Sequence, residues 1–308
     1  MHLKLAHLIL AHANPRQLER LVNRLEHADA DIYVHLDAKS NFKEFEYLQN
    51  QFNVRFVSKR TPVCWGTYSL VQATLDGMDD ILKSGVAYSH INLLSAQDYP
   101  LKSADDIHEF FQQNIGKSYM DSPVIGEEWK DGVYRVENYN FGDYKFPGHY
   151  ILQYLVNVSR IKKKTPLGLK PYGRSQWLTI TPQCADYVIN YLSQYPNVKR
   201  YFRMSFAPDE FIFQTILGNS CLRDTLVNDN LRYIDFPVGN LHPTTLTVAD
   251  AATLTTCGKL YARKFNAQVD GVILNYLDWV AKFGIGIDSQ EFKLIKYLSN
   301  KDNTLVEA

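Results

Sequence analysis

The chain has 308 residues, 45% of them hydrophobic and 21% charged, and Lys plus Arg equals Asp plus Glu at 33 each. That balance excludes a disordered or fibrous chain and supplies a core for one large α/β domain or two smaller ones. With no net field, nucleic acid is not an expected partner.

Apolar spacing predicts a first buried strand at 5–11, then a helix at 15–27 carried by Leu18, Leu21, Val22 and Leu25. Strands at 32–36 and 54–57, a helix at 68–82 and a strand at 90–94 follow. This β-α-β-α order implies a mainly parallel, Rossmann-like sheet with helices on both faces, and ligands in such sheets bind at the carboxyl ends of the strands. His12, His35, Asp37, Arg60, Ser95 and Asp98 stand at those ends. Residues 120–180 are less regular: glycines among aromatics, a helix at 150–161, the basic run Arg160, Lys162, Lys163 and Lys164, and a turn at Pro171-Tyr172-Gly173. The run suits a solvated helix C-terminus or an anionic surface. Helices at 182–195 and 208–218, a strand at 231–236, a helix near 268–281 and a fraying polar end at 300–308 complete the reading. Without repeats or linkers, a single domain fits best.

Cys64, Cys184, Cys221 and Cys257 are scattered, which suits a reducing compartment and hence the cytoplasm. The apolar N-terminus has no small-residue cleavage pattern, and no stretch reaches the roughly 18 apolar residues that cross a bilayer, so membrane association is expected only as peripheral contact at the inner face. Neither G-x-G-x-x-G nor a P-loop nor a G-x-S-x-G elbow occurs, which argues against a dinucleotide fold, a P-loop NTPase and an α/β-hydrolase. Asp29-Ala30-Asp31 precedes its strand and reads as a solvated turn. His35 and Asp37 lack a third metal ligand, so a hydrogen-bonding strand end is the better reading.

Glu210 is the candidate catalytic group. Pro208 is suited to the first position of a helix, which puts Asp209 and Glu210 in its first turn, at the positive end of the dipole, where both should be ionised at neutral pH. Phe211, Phe213, Ile216 and Leu217 would bury that helix and hold a carboxylate at a fixed mouth, able to take a proton from a hydroxyl. An ordinary acidic helix start is the competing reading.

Five ordered blocks carry a resemblance: 33–40 (YVHLDAKS), 65–73 (WGTYSLVQA), 91–101 (INLLSAQDYPL), Ser175-Gln176-Trp177 and Pro208-Asp209-Glu210. Across about residues 5 to 280 the chain resembles the core-2/I-branching β-1,6-N-acetylglucosaminyltransferases and the peptide O-xylosyltransferases, and Tyr261-Ala262-Arg263-Lys264-Phe265 looks like a block of the latter branch. The resemblance implies a GT-A type fold and an inverting transfer of GlcNAc or xylose from a UDP-sugar to a hydroxyl of a glycan acceptor, without metal or other cofactor. It assigns Glu210 as base and Arg263 and Lys264 as the charges that neutralise departing UDP. His12, Asp37, Arg60, Trp65, Tyr68 and Asp98 fall on the nucleotide-sugar side. Asp98 would accept hydrogen bonds from sugar or uracil or else cap the helix that follows it; Trp65 would stack on a ring or be buried. Ser175, Gln176, Trp177 and Asp209 fall on the acceptor side. About 1–120 would form the nucleotide-sugar half, about 121–285 the acceptor and catalytic half, and 286–308 a tail. Arg174-Ser175 after Gly173 departs from the family's Gly-Ser, and Leu241-His242-Pro243 replaces an upstream basic residue, which leaves the donor open. The acceptor is expected to be a saccharide, with a lipid-linked one as the bacterial case. A binding protein that kept the fold and lost turnover is the alternative.

Overall fold

Alternation along the first strand sets up two cores. In β1 (Lys4–Ala11), Leu5, Ile9 and Ala11 enter one buried cluster while Ala6 and Leu8 enter the other, because successive side chains of a strand point to opposite faces. The computed structural model describes residues 3–52, 54–237, 242–284 and 290. The remaining strands are β2 (Ala30–Leu36), β3 (Arg55–Phe56), β4 (Tyr88–Ser95), β5 (Asp98–Pro100), β6 (Ser118–Met120), β7 (Leu178–Ile180), β8 (Leu226–Asn228), β9 (Arg232–Ile234) and β10 (Tyr261–Arg263). The larger sheet has seven strands in the order β3-β2-β1-β4-β7-β6-β8 and the smaller has three in the order β5-β10-β9. From β3 to β4 all pairings are parallel, and β7 runs antiparallel to both its neighbours. This is the mainly parallel, helix-flanked α/β architecture expected from the chain order.

The register aligns the site. Leu10 pairs with His35 on one side and Ser95 on the other, so the carboxyl ends of β1, β2 and β4 stop at one level. Helix Pro15–Leu25 covers one face and helix Tyr68–Lys83, capped by the Thr67 side chain, covers the other. Between the sheets lies a buried polar knot: Asn92 Oδ1 accepts from Thr179 Oγ1 at 2.7 Å and from Arg232 at 2.6 Å, and its amide meets His7 Nδ1 at 3.1 Å. Burial lowers the His7 pKa to about 3, so this ring is neutral and the knot carries only the arginine charge.

Several elements depart from expectation. The helix from Pro208 is split: Pro208–Glu210 forms a 3-10 turn, Phe211 lies at φ −148°, and the α-helix runs only over Ile212–Gly218. Arg263 lies in a short strand, β10, that no periodicity marked, with Tyr261 and Ala262 pairing with β5 and β9 on both sides. Asp31 is no solvated turn residue. It is buried in β2 with Lys4 at 3.1 Å and Tyr88 Oη at 2.6 Å, partners that only the sheet brings close. The helix expected after Asp98 begins at Ala104 and runs to Gln113, while the short strands β5, β6, β7, β8 and β10 escaped the periodicity, since a three-residue strand has too few positions to alternate visibly. The expected tail lies outside the described residues apart from 290. Among the described residues no helix is long and apolar enough to cross a membrane.

Candidate active site

At the aligned strand ends a cavity of about 170 Å³ opens, and it gathers His12, Asp37, Gln176, Trp177 and Arg263 with Ser95, Ala96 and Gln97. Asp37 is buried; its Oδ1 accepts from Lys39 N at 2.8 Å, and Lys39 Nζ lies 3.6 Å from Oδ2. His35, on the same wall, accepts from Thr61 N through Nε2 at 3.0 Å, the strand-end role expected of it. The Arg263 guanidinium stacks 3.9 Å from the centre of the Trp177 ring and lies 3.2 Å from Asp98. Burial lowers its pKa, and the facing Asp98 carboxylate opposes that shift. Arg263 Nη1 is the atom that stands 3.2 Å from Asp98 Oδ1, short of a well-aligned hydrogen bond, and the guanidinium still lines the cavity.

Asp98 itself is fully enclosed, accepting from Ser95 N and Ser95 Oγ at 3.1 Å. It caps no helix, because Ser103 with Asp106 already forms the capping box of Ala104–Gln113. Lys264 is half-buried next to Arg263. Arg60 lies outside the cavity wall, its guanidinium donating to the carbonyls of Leu36, Asp37 and Ser40 and so fixing the loop after β2.

Glu210 stands at a second position, beyond the cavity wall. Its Oε2 receives Arg135 Nη2 at 2.7 Å, and 27% of its side chain is open. Arg135 is caged by the rings of Tyr134, Trp129 and Phe206, with centroids at 4.7, 4.9 and 5.8 Å. Asp209 is buried beside it, with Oδ1 lacking a hydrogen-bond partner. The expectation that both carboxylates are fully ionised at neutral pH is corrected here. Desolvation and then the neighbouring Asp209 push the Glu210 pKa up to about 7 against the pull of Arg135, and desolvation raises Asp209 to about 6. A three-residue 3-10 turn offers too small a dipole to reverse that burial.

Two segments join the carboxylate to the cavity. Gly173, at φ +146°, lies so close to Glu210 that a Cβ there would sit 2.4 Å from the Glu210 carbonyl oxygen, and three residues later Gln176 and Trp177 form the cavity wall. Ser175 fixes this loop: its carbonyl accepts from Gln214 at 2.6 Å and its hydroxyl from Asn230 at 3.2 Å. The second segment runs from Val63 in the wall to Gly66, whose carbonyl accepts from Ala207 N at 2.9 Å. Trp65 between them is 59% exposed, edge-on to Phe206 and 5.4 Å from the His242 ring. It is therefore a surface platform, not a buried Trp. Tyr68 is buried and faces a separate hollow of about 320 Å³ with Lys199 and Arg203.

Thus His12, Asp37, Gln176, Trp177 and Arg263 come together, Asp209 and Glu210 form a second group, and Arg60 and Tyr68 join neither. Arg135 and its cage were missed, because Trp129, Tyr134 and Arg135 lie in the irregular Gly-rich stretch where no period marks a face and Phe206 joins them only in the fold; Tyr134-Arg135 among aromatics was the only signal. Among the described residues, the group of His, Cys, Asp or Glu side chains with metal-ligand spacing is His27, Asp29 and His108, at the amino end of β2 and so at the opposite edge of the sheet from the cavity.

The chain is 26% identical over 305 residues to xylosyltransferase 2 of Pan troglodytes, covering 90% of this chain and 33% of that protein. It is 23% identical over 300 residues to a xylosyltransferase of Ciona intestinalis, covering 90% and 34%. It therefore spans about a third of the length of these relatives. Among solved structures, mouse xyloside xylosyltransferase 1 in its apo form aligns with a TM-score of 0.31 at 10% identity over 70% of this chain and 81% of that one. Residues 5–257 match the Core-2/I-Branching enzyme family, and the chain belongs to that family.

Proposed function

We propose that the protein is an inverting, metal-independent glycosyltransferase that moves GlcNAc or xylose from a UDP-sugar to a hydroxyl of a glycan acceptor. The observation that carries this reading is the pairing of a half-open, proton-accepting carboxylate at Glu210 with a cationic, aromatic-walled cavity that the 173–177 loop joins to it. In the proposed step the acceptor oxygen attacks the anomeric carbon, the bond from that carbon to the UDP oxygen breaks, and the acceptor proton passes to Glu210. Arg135 engages Oε2, which leaves Oε1 to take the proton. The negative charge that develops on UDP meets Arg263 and Lys264, so cationic side chains supply the neutralisation that a metal supplies elsewhere. Asp37 and His12 at the strand ends would receive the nucleoside, and the exposed Trp65 would offer a stacking surface on the same nucleotide-sugar side.

A thermal-shift panel of UDP-sugars tests the donor, since a ligand bound only by the native state raises stability by mass action. UDP release with varied acceptors, in the presence of EDTA, tests the transfer. The expected result is acceptor-dependent release that EDTA leaves intact. Binding of a donor without release for any acceptor would favour a non-catalytic nucleotide-sugar-binding protein, and activity restored only by manganese would overturn metal independence.

A further inference from the structure

The helix His149–Val158 is turned inside out. Gln153 and Asn157, one turn apart, face the protein: Gln153 Oε1 accepts from Phe141 N at 2.7 Å, and the Asn157 side chain accepts from Tyr139 N and donates to Tyr139 O, both at 2.9 Å. Tyr150, Ile151, Tyr154, Leu155 and Val158 point outward, and Tyr150, Ile151 and Tyr154 are 66%, 67% and 67% exposed. A surface helix ordinarily buries its apolar stripe and solvates its polar one. Here no residue of the helix is buried, and the apolar patch continues to Ile161. An exposed apolar face of this extent marks an interaction surface.

Its surroundings specify the partner. Residues 144–185 contain no Asp or Glu. Lys145, Arg160 and Lys164 flank the helix, are exposed, and have no acidic partner among the described residues. The run 162–164 is not uniformly solvated, as the sequence suggested: Lys163 is buried, its Nζ donating to Met204 O at 2.8 Å and to Ser205 Oγ at 2.5 Å. That buried anchor holds the basic rim and the apolar face in one orientation. A helix of ten residues is too short to span a bilayer but long enough to lie in its interface, where aliphatic and Tyr side chains enter the acyl boundary and cations meet phosphates. A second copy of the chain would instead bring a like-charged rim against this one.

We propose that this face seats the protein on the surface of an anionic lipid bilayer. The test is co-sedimentation of the full chain with phosphatidylcholine vesicles and with vesicles that also contain phosphatidylglycerol, in the absence of any sugar nucleotide, so that its outcome is independent of the proposed reaction. The chain is expected to pellet with the anionic vesicles and to be released by high salt. The double variant Ile151→Ser, Leu155→Ser should lose about tenfold or more in partitioning, since interfacial binding scales with apolar area. Arg160→Gln with Lys164→Gln should weaken binding to the anionic vesicles only. Both pairs are exposed, so folding should survive, and a Tyr154→Trp variant provides a second readout through quenching by brominated lipid. A chain that stays in solution with anionic vesicles overturns the proposal. So does a dimer in sedimentation velocity that Ile151→Ser dissociates, which would make this face a subunit interface.

Discussion

Two half-buried arginines, Arg263 and Arg135, are each stacked on aromatic rings and paired with a carboxylate, and the two regions differ in what the carboxylate can still do. Asp98, facing Arg263, is fully enclosed and already accepts from Ser95 twice, so within this ion pair only the arginine lines the cavity. Glu210, facing Arg135, is partly open and has a pKa near 7, so its proton affinity is matched to neutral pH. On the proposed reading, the first pair would serve the donor side and the second would offer an exchangeable proton site to the acceptor. Enclosure of the carboxylate, not the arginine, makes the difference.

Replacing the exchangeable site should have the largest effect. Glu210→Gln keeps the shape and the Arg135 contact but accepts no proton, and loss of a positioned base typically lowers turnover by about 10²–10⁴. UDP affinity, measured by calorimetry, should be unchanged; a parallel loss of affinity would merge the two regions into one. The fixed cation comes next. Arg263→Ala removes a charge-assisted contact worth roughly 1.5–3 kcal/mol and should weaken UDP binding accordingly, with Lys264→Ala acting in the same direction. Unaltered UDP binding in both would remove the donor-side half of the comparison.

The connection between the regions gives a smaller effect. Gly173→Ala puts a Cβ against the Glu210 carbonyl at a φ of +146°, so thermal unfolding should reveal a loss of at least about 1 kcal/mol, together with reduced turnover. A further effect is confined to pH-dependent stability. A carboxyl whose folded pKa is raised to about 7 binds its proton more tightly in the native state, so its contribution is present below the ordinary 4.5 and is lost as pH rises through 7. Glu210→Gln should therefore melt higher than the parent above that pH and show less difference in acid; an equal shift at every pH would mean that the carboxyl is not strained by burial.

The strand-end half of the site was legible because parallel strands obey a period and end together: His12, Asp37 and the backbone near Ser95 could be placed on one edge from spacing alone. Glu210 was legible as a residue but not as an environment. The sequence predicts an α-helix dipole that would keep it ionised, whereas the 3-10 turn, the buried Asp209 and the Arg135 cage depend on contacts across 75 residues of chain. The Pro208 signal was real, yet Phe211 at φ −148° breaks the helix that Pro208 was expected to start. Arg263 could be named from the resemblance but its setting could not be read, since a three-residue strand buried between two others has no local signature.

The central claim, that Glu210 takes the acceptor proton with an affinity set by burial, is tested most directly by the pH dependence of kcat/KM with a UDP-sugar and a saccharide acceptor. The account expects the rate to rise with pH and level off above about 7, where Glu210 becomes ionised, and expects residual Glu210→Gln activity to lack that limb. A limb of the same midpoint in the Gln variant, or a parent profile that is flat through that region, would contradict it.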